Sequence, residues 1–357
     1  MSATIKDVAE RAGVSKALVS RYLNGKNGVS QENRNRIADA IQELRYTPNA
    51  LARSLVTQKT FTIGVLMEAL DTEPALAVLR GLEKGIQSVP GGEQYTLIYT
   101  NSFGDVERKE RQLRYLTQGR ADGVIIFGSQ ICNDELIARL AETEFPVVLI
   151  ENDLSSVSTD RVLVDNVGGA FSATETLIQT GHRRIAHIAG NMNLKITMDR
   201  MHGYLQALQY HGVQIDNSLI AFPDFSSLPV HQRQPMGWES LFVDQGYAEM
   251  KHMLDKNVIP DALFVPTDFL AFGAIRALRE KSLRVPEDVS IIGFDNEIAM
   301  AARLECPPVS SVVQPLQEAG SKAVELCLKR INDPGRVMER IILKTFMADH
   351  HTVANRK

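Results

Sequence analysis

Cysteine is scarce in this 357-residue chain: Cys132, Cys306 and Cys327 are the whole set, an odd number with no CxxC spacing. A disulfide framework and a thiolate zinc site are thereby disfavoured, and a reducing compartment is the expectation. No apolar run approaches the roughly 18 residues that a membrane span needs, and the polar N-terminus has no apolar segment of the signal-peptide kind. A soluble, cytoplasmic protein with no membrane partner follows as the expectation. Enzyme motifs are missing as well. No GxSxG, P-loop or GxGxxG stands after an apolar run, so the chain is expected not to be an enzyme and to carry no cofactor. Asp349, His350 and His351 cluster near the C-terminus. No second group of metal-ligand residues accompanies them, so a solvated tail is expected there and no metal.

Charge is unevenly spread. The net charge of −4 hides ten Lys/Arg against five Asp/Glu in residues 1–60, and 29 against 38 in the remainder. A small basic head on an acidic body suits one segment that meets phosphates and another that must not. A solvated helical face would show the same charge, so charge alone does not decide.

The head carries more than charge. Thr4 with Asp7 three positions on has the form of a capping box, and Ile5, Val8, Ala9 and Ala12 form one apolar helical face. Gly13 ends that helix and Ser15 caps the next. Leu18, Val19, Tyr22 and Leu23 turn inward there, leaving Lys16, Ala17, Ser20 and Arg21 outward. A third helix starts at Ser30 and buries Ile37, Ala40, Ile41 and Leu44. This is the layout of a helix-turn-helix. Pro48 breaks the chain, and residues 49–56 form a helical pattern too short to be stable alone.

From Phe61 onward short apolar strands alternate with amphipathic helices. Strands are expected at 62–67, 95–100, 123–127, 146–150, 161–165, 184–189, 219–222, 261–265, 289–294, 309–313 and 340–346. Such alternation gives parallel sheets covered on both faces, and so many strands suggest two similar lobes with a ligand cleft between them. Residues 222–238, with three prolines and no periodicity, read as a loop, either functional or a tolerated insertion.

At this point the chain resembles the lactose/galactose repressor (LacI/GalR) family of bacterial transcription regulators. The stretches that carry the resemblance are TIKDVAERAGVSKALVSRYLNG, YTPNALARSL, FTIGVLM, DGVIIFGS, VDNVGGA, GHRRIAHIAG, RMHGYLQAL, FVPTDFLAFGAIRAL, VPEDVSIIGFDN and PPVSSVVQP. The resemblance implies an all-α helix-turn-helix headpiece (1–48) and a hinge helix with linker (49–60). It also implies an α/β body of two Rossmann-like lobes, type I periplasmic-binding-protein-like (61–346), and a tail (347–357). The expected N-lobe is about 61–160 plus 295–315, and the C-lobe about 161–294 plus 316–346.

The family's recognition helix corresponds to the helix beginning at Ser15. Lys16 and Ala17 match the positions that select the operator, and Ser20, Arg21 and Asn24 match positions that touch bases or phosphates. The chemistry agrees: Lys16 and Arg21 can donate to guanine O6/N7, and Ala17 can meet a thymine methyl. Thr4, Ser30 and Asn49 suit phosphates, and Ser15, the cap of the recognition helix, belongs to the same DNA-binding set. In the hinge, Ala52 would lie against the minor groove and Leu55 would wedge a base step. The implied partners are a near-palindromic double-stranded operator, a second copy of the chain and a small-molecule effector, most often a sugar or sugar derivative. By position, Arg200, Asp268, Asp295 and Gln314 line the cleft, and Trp238 stands near a stretch that supplies a stacking ring in some members. The segment after the first strand keeps Pro74 but lacks two aromatics common in the family, so Asp71 and Thr72 become candidate effector contacts. Thr267 replaces a common Asn. Two other readings stay open: a sugar-binding protein without a DNA role, and a DNA-binding protein without ligand control.

Overall fold

The computed structural model describes residues 3–23, 27–46, 59–68, 70, 72–103, 105–128, 135–153, 158–225 and 237–357, without the side chains of 237–239. The chain divides into two compact units, Met1–Thr60 and Phe61–Lys357.

The first unit is three helices: α1 (Ile5–Ala12), α2 (Lys16–Leu23) and α3 (Gln31–Glu43). Its ends form where local chemistry demands. The Thr4 hydroxyl accepts from the Asp7 N–H while the Asp7 carboxylate receives the Thr4 N–H, a complete capping box. Gly13 closes α1 at φ 64°, a left-handed conformation that costs glycine little. Ser15 Oγ receives the Leu18 N–H and Ser30 Oγ the Asn33 N–H. Val8, Ala9, Ala12, Val19, Val29, Ile37 and Ala40 make the small core, where Val8, Val19 and Ile37 are fully buried.

The second unit holds two six-stranded sheets. The first is β11-β5-β4-β3-β1-β2, built from β1 (Thr62–Met67), β2 (Thr96–Asn101), β3 (Gly123–Phe127), β4 (Val147–Ile150), β5 (Asp160–Val164) and β11 (Arg340–Leu343). All its pairings are parallel. The second is β12-β10-β9-β8-β6-β7, from β6 (Ile185–Ile188), β7 (Ile220–Ala221), β8 (Ala262–Phe264), β9 (Ser290–Phe294), β10 (Ser310–Val313) and β12 (Phe346–Ala348). Here β12 alone runs antiparallel. Helices α4 (Glu73–Ser88), α5 (Val106–Thr117) and α6 (Glu135–Ala141) connect the first set. Helices α7 (Asn166–Gln179), α8 (Lys195–Tyr210), α9 (Gly237–Asp255), α10 (Asp268–Glu280) and α11 (Ile298–Arg303) serve the second, and α12 (Leu316–Asn332) follows β10. The buried strands read as continuous apolar runs, as sheets covered on both faces require. Among the described residues, no helix is long and apolar enough to cross a membrane.

The lobes divide differently from the expected boundaries. β5 pairs with β4 in the first sheet, whereas 161 onward was expected in the C-lobe. β10 pairs with β9 in the second sheet, whereas 295–315 was expected in the N-lobe. α12 packs on α4 of the N-lobe rather than in the C-lobe. Two glycines permit that packing: a methyl at Gly81 would collide with the Gln317 carbonyl, and one at Gly320 with the Val78 carbonyl. The run 340–346, expected as one strand, is two strands in two sheets. The chain thus passes between lobes after β5, after β10 and after β11. The apolar strands of the two lobes look alike in sequence, so chain order alone misassigns them.

Two more expectations change. Helix α9 begins at Gly237 and includes Trp238, so the end of the 222–238 stretch expected as a loop is helical; residues 226–236 of that stretch lie outside the described ones. The tail is not solvated throughout. The Ile291 N–H donates to the Thr352 carbonyl at 2.8 Å, and the Arg356 N–H to the Thr180 carbonyl at 2.8 Å, so the segment lies against the C-lobe.

Candidate functional site

In the headpiece, Lys16, Ala17 and Arg21 are exposed on one side of α2, with Ser20 partly covered. The buried Val19 and the half-buried Leu18, Tyr22 and Leu23 hold the opposite side to the core. That is the arrangement expected of a helix presenting donors to a groove. The Thr4 hydroxyl is committed at both ends, since it also donates to Asp7 Oδ2 at 2.9 Å, so its proton is already engaged within the capping box. Asn24, Asn49, Ala52, Leu55 and Asp71 lie outside the described residues.

The cleft candidates converge only in part. Arg200, on α8, is almost fully buried. Its Nε donates to Asn166 Oδ1 at 2.8 Å, and its Nη1 to the Pro266 carbonyl at 2.5 Å and to Asp295 Oδ1 at 3.3 Å. Its guanidinium carbon stands 3.6 Å from the centroid of the Phe294 ring, a stacked cation–π contact. Gln314 Nε2 donates to the same Asp295 oxygen at 2.6 Å. Arg200, Asp295 and Gln314 therefore form one cluster. Asp295 follows β9 and Gln314 follows β10, at the carboxyl ends of parallel strands where ligands of such sheets sit.

Asp295 is held in an unusual backbone. Its φ is 100° and that of Asn296 is 61°, two successive left-handed residues that are not glycine. Each such residue costs about 1–3 kcal/mol and persists only where surroundings overdetermine it. The ties are visible: the Asp295 N–H donates to the Val312 carbonyl, the Asn296 N–H to Ser311 Oγ, and the Glu297 N–H to Asp268 Oδ2.

Asp268 stands among those ties, away from any open face. It is fully buried at the start of α10, with Oδ2 taken by Glu297 N at 2.7 Å and Oδ1 by Ser311 Oγ at 2.8 Å. Burial, reinforced by the charge of Asp295, pushes its carboxyl well above the usual range. Its expected effector contact is thus replaced by a scaffold role under Asp295. Thr72 caps α4, with Oγ1 accepting from Ala75 N at 3.3 Å.

Two residues escaped sequence reasoning. Glu151, just after β4, accepts from Val164 N at 2.5 Å and from Asn166 Nδ2 at 3.0 Å, and burial raises its carboxyl pKa. Asn166 therefore bridges Glu151 of the N-lobe to Arg200 of the C-lobe. The signal was available: Glu151 occupies the carboxyl end of the apolar run VVLI, the same address as Asp295. Beside this bridge a cavity of about 230 Å³ opens between the lobes, lined by Glu151, Asp153, Lys195, Asp199 and Arg340 among others. Burial opposes ionisation of Asp153, yet its hydrogen bonds to Arg340 and Arg161 outweigh this and hold its carboxyl below the usual range. Lys195 pairs with Asp199. Among the described residues, no cluster of three or more ligand-type side chains could hold a metal.

Comparison with known proteins accords with both units. Residues 4–49 match the model "Bacterial regulatory proteins, lacI family", and residues 174–349 match a periplasmic binding protein-like domain. The chain is 34% identical to the HTH-type transcriptional regulator RegA of Clostridium saccharobutylicum, over 96% of this chain and 98% of that protein. It is 34% identical to the HTH-type transcriptional repressor PurR of Aliivibrio salmonicida, over 93% of each. Its fold superposes on the solved transcriptional regulator CelR–cellobiose complex with a TM-score of 0.69 at 30% identity, covering 98% of this chain and 99% of that one. With a three-helix lacI-type headpiece, a two-lobed α/β body and full-length relatives at 34% identity, the chain belongs to the LacI family of bacterial transcriptional regulators.

Proposed function

We propose that this regulator is a cytoplasmic repressor that binds a near-palindromic operator as a homodimer. Its operator affinity is set by a neutral, hydroxyl-rich effector, a sugar or sugar derivative, held between the lobes. The observation that carries this reading is the Arg200–Asp295–Gln314 cluster. Charge-assisted donors and acceptors set this closely bracket vicinal hydroxyls. The Arg200 charge is already matched by Asp295, so recognition proceeds by hydrogen bonding and not by neutralising an anion. The cellobiose in the CelR complex supports a sugar.

On the DNA side, Lys16 and Ala17 select bases, Arg21 and Asn24 anchor the helix, and Leu55 wedges the central step. A groove on the C-lobe, lined by Val243, Phe272, Ile275 and Leu304 together with Arg276, Arg279 and Glu280, suits coverage by a second copy. The effector shifts operator affinity by its differential affinity for two lobe arrangements.

Thermal-shift measurements on the full chain with cellobiose, D-ribose, ribose 5-phosphate and guanosine test this. A neutral sugar raises the Tm, the rise disappears in Arg200→Ala measured against its own ligand-free Tm, and the same sugar changes operator affinity. A response to guanosine alone would point to a nucleobase effector, and a response to ribose 5-phosphate alone would defeat the neutral-ligand reading. Silence with all four, with operator binding intact, would favour a DNA-binding protein without ligand control.

A further inference from the structure

The C-terminal segment does more than lie on the C-lobe. Ser310, on β10, anchors it at several points: its Oγ donates to Asp349 Oδ1 at 2.9 Å and receives the N–H groups of His350 (3.0 Å) and Thr352 (3.3 Å). The Thr352 hydroxyl donates to the Ile291 carbonyl at 2.7 Å and accepts from the Ser310 N–H at 2.8 Å. Arg356 Nη2 reaches the carbonyls of Glu287 and Asp288. The segment is a strap fixed to β9 and β10.

From this strap one side chain reaches the strained turn after β9. His350 Nε2 lies 2.8 Å from Asn296 Oδ1. An amide oxygen only accepts, so Nε2 is the donor. The other ties of the turn hold backbone N–H groups. This one fixes the side chain of Asn296, whose φ of 61° continues the left-handed φ of 100° at Asp295. Because the His350 backbone is itself bonded to Ser310, the contact connects the turn to β10, the strand that immediately precedes Gln314.

We propose that His350 is a positioning residue for the Asp295 carboxylate, acting through Asn296. It keeps the turn left-handed and so keeps Asp295 Oδ1 where both Arg200 Nη1 and Gln314 Nε2 reach it. This rests on the reading of Asp295 as an effector contact. Without the His350 contact the turn relaxes toward an ordinary backbone and the carboxylate leaves its two donors, while the strap stays docked through Ser310, Thr352 and Arg356.

The test is hydrogen–deuterium exchange on the full-length, ligand-free protein, following the peptide that spans 294–300. His350→Ala raises exchange at the Asn296 and Glu297 amides about tenfold, the signature of local opening. The Ile291 amide, bonded to the strap, stays unchanged. His350→Gln, which restores a side-chain donor, returns 296–297 to wild-type exchange. In ¹⁵N spectra the Arg200 guanidinium protons exchange faster in His350→Ala and not in His350→Gln. Unchanged exchange at 296–297 in His350→Ala overturns the proposal. So does equal acceleration in both variants, or matching acceleration at Ile291, which would mean that the strap had simply come off. Since no effector is present, a failed sugar screen counts against the effector reading alone, and unchanged exchange counts against this proposal alone.

Discussion

The headpiece and the cleft present opposite kinds of surface. On α2 the proposed reading side chains Lys16, Ala17 and Arg21 stand exposed, and the bonds that shape the helix ends span three residues of sequence. In the cleft, Arg200 is bound to partners 34, 66 and 95 residues away, and it is buried. An exposed reader exchanges water for phosphates and base edges, so its strength follows salt and its selectivity follows single side chains. An internal cluster is organised before the ligand arrives, and the ligand must fit donors and acceptors already engaged with each other. The first surface tolerates substitution and changes its preference. The second fails when one member is lost.

That contrast breaks most visibly at the two ion pairs. Removing Arg200 leaves the Asp295 carboxylate without its cation in a site where the two side chains are only 4% and 11% exposed. Arg200→Ala should therefore cost about 3–5 kcal/mol in denaturant unfolding. Arg11→Ala, which removes a pair with Glu43 between side chains 55% and 53% exposed, should cost less than about 1 kcal/mol. Equal costs would dissolve the comparison.

Acid probes the same difference. His187 is fully buried on β6, its ring stacked 4.8 Å from Tyr204 and 5.4 Å from Phe264, with Nδ1 bonded to the Phe264 carbonyl. Burial pushes its pKa down to about 4 from 6.5, against the opposing effect of that hydrogen bond. Between those values the unfolded chain binds a proton that the folded one does not, so stability rises with pH. On acidification from pH 6.5 toward 4 the body should lose roughly 3 kcal/mol from this group. His187→Phe should flatten that slope in thermal scans across the window. An unchanged slope would remove His187 from the account.

Smaller effects belong to the headpiece. Lys16→Ala should relax base preference at one operator position by about 1–3 kcal/mol, read by competition among operator variants at fixed salt. A uniform loss on all sequences would make Lys16 a phosphate contact. Thr4→Ala removes one arm of the capping box and should lower headpiece stability by about 1 kcal/mol, measured by the thermal transition of the isolated first unit and of the full chain.

The same contrast explains what the sequence disclosed. The ends of α1 and the starts of α2 and α3 were legible because Thr4, Gly13, Ser15 and Ser30 act on neighbours three or four residues away. The strands were legible as apolar runs. Their partition between lobes was not, because β5 (DRVLV) and β6 (IAHI) are both short and buried along their length, and nothing in either run says which strand it pairs with. Asp268 and Asp295 shared one address, the carboxyl side of a parallel strand, yet only Asp295 keeps company with Arg200 and Gln314. What separates them is distant in sequence: Gly293 has no side chain and leaves room for the Asp268 carboxylate to sink beneath the turn, where a methyl group would collide with it. The tail misled for a related reason, since ADHHTVANR is polar and its docking depends on Ser290 and Ser310.

The glycine contact between α4 and α12 has a mechanical meaning. Gln314 stands one residue before Pro315, the cap of α12, and α12 runs 17 residues, about 25 Å. With Gly81 and Gly320 letting the two backbones touch, no compressible side chain separates α12 from α4 at that point. If Gln314 contacts the effector as proposed, a ligand that displaced it would push on the end of a helix seated directly on α4 of the N-lobe. A bent hydrogen bond at Gln314 would then reach α4 as the movement of a helix axis, with no side chain between the two backbones to absorb it.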